Sequence, residues 1–427
     1  MKLSNLDKIK VLEKLYVIYI ILFFIEGAFR KWILPNYSDY FLLCRDPVAI
    51  LIIFWGFSFI PYYFKKWTFL IKYLLYLFVI LGLLQFYNLH FTKLGSIFII
   101  IYGLRSNFLH YPLIPIFIGI ITPTYFRKIN YLIVLFCVVN LVLMYLQYNS
   151  SKDSFINYGQ RGISGAQIGF IDDLIRPCGT FSYVIGPMYI MPTCLLLGLY
   201  NFIQEKYLDY YTSLLAILTS LLSMFICGSR TLVLINISII VTSFLFLSSH
   251  TKKVFTLLVS TLLTITVCLL YNFNYYLNIK DRFIIANEIE TTTYNNSIIS
   301  RLINIISIPL DEIKNTPILG YGLGMGSNVA SEINRGYIDF SLGEYEYERL
   351  YNEIGPIFLF ILILFRLYLI KILFNRFKLL KYKLSYFYLL ILPILLMLFS
   401  NTSQTTSLGA LIMVNIIIFT LIKFETY

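Results

Sequence analysis

The chain has 427 residues, of which 59% are hydrophobic and only 13% charged, with a formal net charge of +12. A mean hydropathy of +0.77 excludes a soluble globular protein and identifies a membrane protein. The basic excess does not require nucleic acid, because Lys and Arg of a polytopic protein collect in its cytoplasmic loops.

Apolar runs long enough to cross a bilayer lie near 11–29, 47–64, 68–88, 95–121, 130–148, 180–203, 208–227, 230–248, 253–271, 351–370, 385–401 and 407–423. Helix is the only open-chain structure that satisfies every backbone group in lipid. The sequence therefore predicts an all-α polytopic membrane protein with about 12 transmembrane helices, a single membrane domain over residues 1–427. The first run follows a basic N-terminus, as in a signal peptide. It leads into Glu26-Gly27-Ala28-Phe29-Arg30 without a small-residue cleavage site and reads as an uncleaved span. The fourth run is interrupted at Gly103-Leu104-Arg105 and Pro112, the pattern of a broken helix or two half-spans.

Orientation follows from Lys and Arg. With both termini cytoplasmic, the inner segments carry Lys2 to Lys14, Lys65 and Lys66, Arg127 and Lys128, Lys206, Lys252 and Lys253, Lys371 to Lys383, and Lys423. The outer side then receives the two long loops, about 149–179 and 272–350. The six Cys are scattered with no C-x-x-C, and the three His are far apart, so no metal site is expected.

Several charged groups on the outer side need a reason. Glu26, Arg30, Lys31 and Arg45-Asp46-Pro47 cluster in the first two spans, where an ion pair that packs those spans is the simplest explanation. Arg176 precedes the sixth span. Arg230, in Gly228-Ser229-Arg230-Thr231, stands at the start of the eighth, with Ser229 as a candidate N-cap. A guanidinium beside a helix N-terminus suits an anion, phosphate above all. Arg301 adds to this cationic set. A glycine-rich run, Pro317–Gly326, precedes the acidic stretch Gly343–Pro356, whose Glu346, Arg349 and Glu353 fall at i, i+3 and i+7. One helix face thus carries acid, base, acid. The plain reading is a solvated helix start; the functional one is a general base held near an anion site.

Together these pieces resemble the bacterial O-antigen ligase and O-antigen polymerase (Wzy) superfamily of integral-membrane glycosyltransferases. Arg176-Pro177-Cys178-Gly179-Thr180-Phe181 is similar to its R-x-x-G-T-F, Gly228–Thr231 to its S-R-T, Pro317–Gly324 to its P-x-L-G-x-G, and Glu346–Arg349 with Glu353-Ile354-Gly355 to the E-x-G that opens the span after its large external loop. Glu26–Pro35 and Arg45-Asp46-Pro47 look like N-terminal pieces of polymerase-type members. The resemblance implies a bacterial inner (plasma) membrane protein, without cofactor or metal. It would act at the outer face on an oligosaccharide carried by undecaprenyl diphosphate, among membrane lipid and with a chain-length regulator protein as a further partner. Arg176, Arg230 and Arg301 would bind the diphosphate. Glu346, then Glu353, would be the base, with Arg349 orienting. The loop 272–350 lacks the His that many ligases carry, which favours polymerisation of repeat units for O-antigen, capsule or another surface polysaccharide. Ligation to another acceptor, and transport of the lipid-linked glycan without catalysis, are the alternatives.

Overall fold

The computed structural model describes residues 5–87, 97–162, 170–171, 174–204, 206–246, 317–327, 330, 346–380 and 383–426. The expected ninth span, 253–271, Arg301 and most of the loop 272–350 lie outside the described residues. The chain is a helical membrane protein. Its helices are α1 (Asn5–Ala28), α2 (Ser38–Phe41), α3 (Asp46–Gly56), α4 (Lys65–Tyr87), α5 (Ile97–Leu104), α6 (Leu113–Ile120), α7 (Pro123–Asn149), α8 (Ile185–Gln204), α9 (Tyr210–Ile226), α10 (Arg230–Phe246), α11 (Glu346–Phe377), α12 (Ile391–Phe399) and α13 (Thr405–Glu425). A two-residue antiparallel ladder, β1 (Phe170–Ile171) with β2 (Leu174–Ile175), lies in the first long loop. Among the described residues seven helical stretches are long and apolar enough to cross a membrane. Tyr210–Ile226, Arg230–Phe246 and Ser385–Phe399 are shorter apolar helices.

Burial follows composition around each helix. α13 is apolar on all sides and buried from Thr405 to Ile422, which makes the last predicted span the centre of the bundle. α8 is also buried almost throughout, and its internal Pro192 is accommodated there. α4 instead leaves Phe69, Tyr73, Tyr76, Ile80 and Leu83 exposed, an apolar face suited to lipid.

The basic segments gather at one end of the bundle. Glu13 accepts from the Thr122 amide and hydroxyl at 3.1 and 2.8 Å. Lys423 donates to the Ile118 carbonyl at 2.6 Å, and Lys206 pairs with Glu425 at 2.5 Å. Arg376 lies over the Tyr63 ring at 3.3 Å. Asp209 caps α9 here by accepting from the Thr212 amide at 3.0 Å. Bonds from the Thr212 hydroxyl and amide and the Tyr131 hydroxyl hold the Asp209 carboxyl down at about 2.

Two irregularities shape the opposite half. The fourth predicted span is one broken helix: after α5 the chain makes a π-helical turn, Arg105–Leu109, and resumes as α6. Such a bulge is tolerated where other protein groups satisfy the freed backbone. In α11 the helix folds back at Gly355, whose φ of 73° and ψ of 173° are not helical. A Cβ there would lie 2.0 Å from the Ile318 carbonyl oxygen, so glycine is required twice over. The tenth span therefore begins as a helical hairpin, Glu346–Ile354 against the helix after Pro356.

Candidate functional site

The first long loop is turned onto α1 by two amide side chains of α7. Asn140 Oδ1 accepts from the Thr180 amide and hydroxyl, both at 2.9 Å. Gln147 Oε1 accepts from the Cys178 and Gly179 amides at 3.1 and 2.8 Å. Gly27 lets the two chains touch, since a Cβ would come within 2.3 Å of the Thr180 carbonyl oxygen. The segment Arg176–Phe181 is thereby fixed beside the Glu26–Lys31 segment.

That contact organises a first buried charge network. Glu26 pairs with Arg45 at 2.9 Å and lies 3.6 Å from Arg30. Arg45 also donates to the Thr405 carbonyl at 2.7 Å and lies beside the rings of Tyr19 and Phe23. Asp46 is held by Arg105 at 2.5 Å and by His110 at 3.1 Å, and His110 in turn meets the Tyr19 hydroxyl at 3.1 Å. Lys31 is fully buried and donates to the Gly179 carbonyl at 2.5 Å, with Cys178 Sγ at 3.6 Å. Among the described residues it enters no carboxylate pair. Among the described residues two carboxylates, Glu26 and Asp46, thus face four buried cations, Arg30, Lys31, Arg45 and Arg105.

The second network is built on the α11 hairpin. Glu346 is not at a solvated helix start: it is 3% exposed and both its oxygens are occupied. Arg349 donates to it from Nη2 at 2.8 Å and Nε at 3.2 Å, and Arg366 from Nη2 at 2.5 Å. The Thr402 amide adds a bond at 3.1 Å and the Thr402 hydroxyl one at 3.0 Å. Arg366 is ten residues beyond Pro356, ~15 Å along the helix. The fold-back at Gly355 carries Glu346 down to it, so Arg366 does not snorkel towards the headgroups. Burying Glu346 among five donors is affordable only because two guanidiniums accompany it.

Glu353 is held differently. Its Oε1 is 2.8 Å from Arg349 Nη1 and accepts from the Gly326 amide at 3.0 Å. Its Oε2 is buried and has no hydrogen-bond partner among the described residues. The spacing argument of acid, base, acid is realised, with Arg349 clamped between Glu346 and Glu353. The glycine-rich run closes over this point. The Tyr321 and Gly322 amides donate to the Asn352 and Glu353 carbonyls at 2.7 and 3.2 Å. Gln85 of α4 donates to the Leu319 and Glu353 carbonyls at 2.5 and 3.0 Å and accepts from the Leu323 amide at 2.8 Å. This part of the predicted outer loop 272–350 is therefore packed into the bundle, buried at Gly320 and from Gly322 to Ser327.

Residues Ser400–Thr405 join the networks. Thr402 bonds Glu346 and lies 3.3 Å from Asn107 Oδ1 in the π-helical turn; Tyr102 donates to the Ser403 carbonyl at 3.2 Å. Thr405 bonds Glu26 and Arg45. Arg176 and Arg230 are both half-buried. Ser229 accepts weakly from the Leu232 amide at 3.4 Å, so it caps α10 beside Arg230. Sequence reasoning passed over Lys31, Gln85, Arg366 and Thr402 as site residues. The signal for Thr402 was present: Ser400–Ser407 is a polar run of eight residues between two apolar spans.

Comparison with known protein families, curated proteins and solved structures finds no match for this chain.

Proposed function

We propose that the protein is a glycosyltransferase of the outer membrane face that polymerises oligosaccharide repeat units carried on polyprenyl diphosphate. The reading takes twelve spans with both termini cytoplasmic. The observation that carries it is the asymmetry of the two buried networks: among the described residues, an excess of two cations around Arg30, Lys31, Arg45 and Arg105 and, across Thr402, a carboxylate with one oxygen unengaged. A buried cation excess is costly unless an anion relieves it. A diphosphate has the matching charge, and Arg176, Arg230 and Arg301 would extend its site.

In this reading the acceptor sugar hydroxyl attacks the anomeric carbon of the donor. Its proton passes to Glu353 Oε2, the new C–O bond forms, and the bond to the diphosphate oxygen breaks with inversion. The cations stabilise the charge that develops on the leaving diphosphate. Glu346, saturated by Arg349, Arg366 and Thr402, positions Arg349 and hence Glu353; the order of the two carboxylates as base is reversed from the sequence-based expectation. Transport of the same lipid-linked glycan is the second reading, favoured by the Glu346–Arg366 pair lying ~15 Å along the helix from Pro356.

The test is elongation by purified protein in lipid nanodiscs given the undecaprenyl-diphosphate-linked repeat unit. The expected result is a ladder of polymer with release of undecaprenyl diphosphate, slowed about a hundred-fold in Lys31→Met. No ladder, with donor translocated in proteoliposomes, would establish transport instead. A periplasmic-activity reporter fused after Ser297 is expected to be active; activity of a cytoplasmic reporter there would overturn the topology.

A further inference from the structure

We propose that the groove between α1 and α7, at the basic end of the bundle, binds an anionic phospholipid of the cytoplasmic leaflet. The groove is a cavity of about 450 Å³ lined by Lys14, Val17 and Ile18 of α1 and by Tyr125, Lys128 and Leu132 of α7, among others. Its position is set by Glu13, whose carboxylate holds the Thr122 amide and hydroxyl and so ties the start of α7 to α1.

Charge and shape select the occupant together. Lys14 and Lys128 are exposed at the groove, and neither enters an ion pair among the described residues. Glu13, the acid next in sequence to Lys14, is turned away to Thr122. Lys128 lies 5.3 Å from the centroid of the Tyr125 ring, which holds its ammonium near the groove. The walls between the two lysines are apolar. Beyond Leu132 the same face of α7 continues through exposed Leu135, Val139 and Val142, spaced at helical intervals. A headgroup phosphate between the two ammoniums would therefore continue into an acyl chain laid along this track. A soluble phosphate would leave the track unused, and a neutral lipid would leave the ammoniums unused. Basic pockets between helices on the cytoplasmic side suit anionic headgroups. The inference does not depend on the glycosyltransferase reading, only on the basic end facing the cytoplasm.

The test is native mass spectrometry of the full-length protein in detergent, with phosphatidylglycerol and phosphatidylcholine of the same acyl chains offered separately. One lipid molecule is expected to bind with a preference for phosphatidylglycerol of about thirty-fold. Lys14→Gln with Lys128→Gln is expected to abolish the preference. Ile18→Trp, which fills the groove and leaves both charges, is expected to weaken phosphatidylglycerol binding itself. Equal binding of the two lipids by the wild type, or an unchanged preference in the double variant, would overturn the assignment. So would a homodimer cross-linked through cysteines placed at Ile18, which would assign the groove to a second copy of the chain.

Discussion

Glu353→Gln is expected to give a folded, membrane-inserted protein that elongates polymer roughly a hundred- to ten-thousand-fold more slowly than the wild type. The substitution keeps the shape of the side chain. Its amide oxygen can still accept from Gly326, and the glycine-rich run can still close over the hairpin. What is removed is the proton-accepting capacity of Oε2, the carboxylate oxygen without a partner among the described residues, together with one charge of the Arg349 pair, while Glu346 remains beside both Arg349 and Arg366. Elongation from the lipid-linked donor, compared with Glu348→Gln in the same membranes, provides the measurement. Retention of more than a tenth of the wild-type rate by Glu353→Gln would reject Glu353 as the base.

Glu346→Gln is expected to fail in another way, by loss of about 3–5 kcal/mol of stability. The variant leaves Arg349 and Arg366 buried with Glu353 as the one remaining buried carboxylate on the hairpin. Elongation per folded molecule, measured beside thermal unfolding in detergent, should fall less than in Glu353→Gln, because Glu346 acts only by positioning Arg349. Adding Arg366→Gln removes the uncompensated charge and is expected to recover most of the lost stability. A double variant no more stable than Glu346→Gln alone would show that Glu346 and Arg366 are not coupled.

The features most legible in the sequence are those that depend on composition or on regular spacing. Lys65, Arg127, Lys206, Arg376 and Lys423 could be assigned to one side by the bias of basic residues, and the contacts among their segments gather them at one end of the bundle. Helical spacing was enough to place Glu346, Arg349 and Glu353 on one face, because side chains three and four apart are neighbours in any α-helix. Their depth was not legible. It depends on a positive φ at Gly355, and nothing in an apolar period distinguishes that glycine from one inside a helix. The reason glycine is needed there is the Ile318 carbonyl, 37 residues earlier in the chain. The partners of the acids were hidden for a related reason: Gln85 and Thr402 are single polar groups on remote segments, and no local pattern links either to Glu353 or Glu346. The cation excess around Lys31 required knowing which charges are buried together, which composition does not report.

The α11 hairpin also bears on how the protein is made. Its four buried ionisable groups are two acids, Glu346 and Glu353, and two cations, Arg349 and Arg366, and every ion pair among them closes within the hairpin itself. The four buried charges can therefore leave the translocon already balanced, before Thr402 and the helices after it have been synthesised. Arg30, Lys31, Arg45 and Arg105 have no such balance within any one span. Arg105 meets Asp46, which precedes it, but Arg30, Lys31 and Arg45 also bind groups delivered later in translation: Gln160 and Ser182, Gly179, and last the Thr405 carbonyl. The hairpin network is thus self-sufficient during biogenesis, whereas the network around Glu26 and Asp46 is completed only when the C-terminal helix reaches the centre of the bundle.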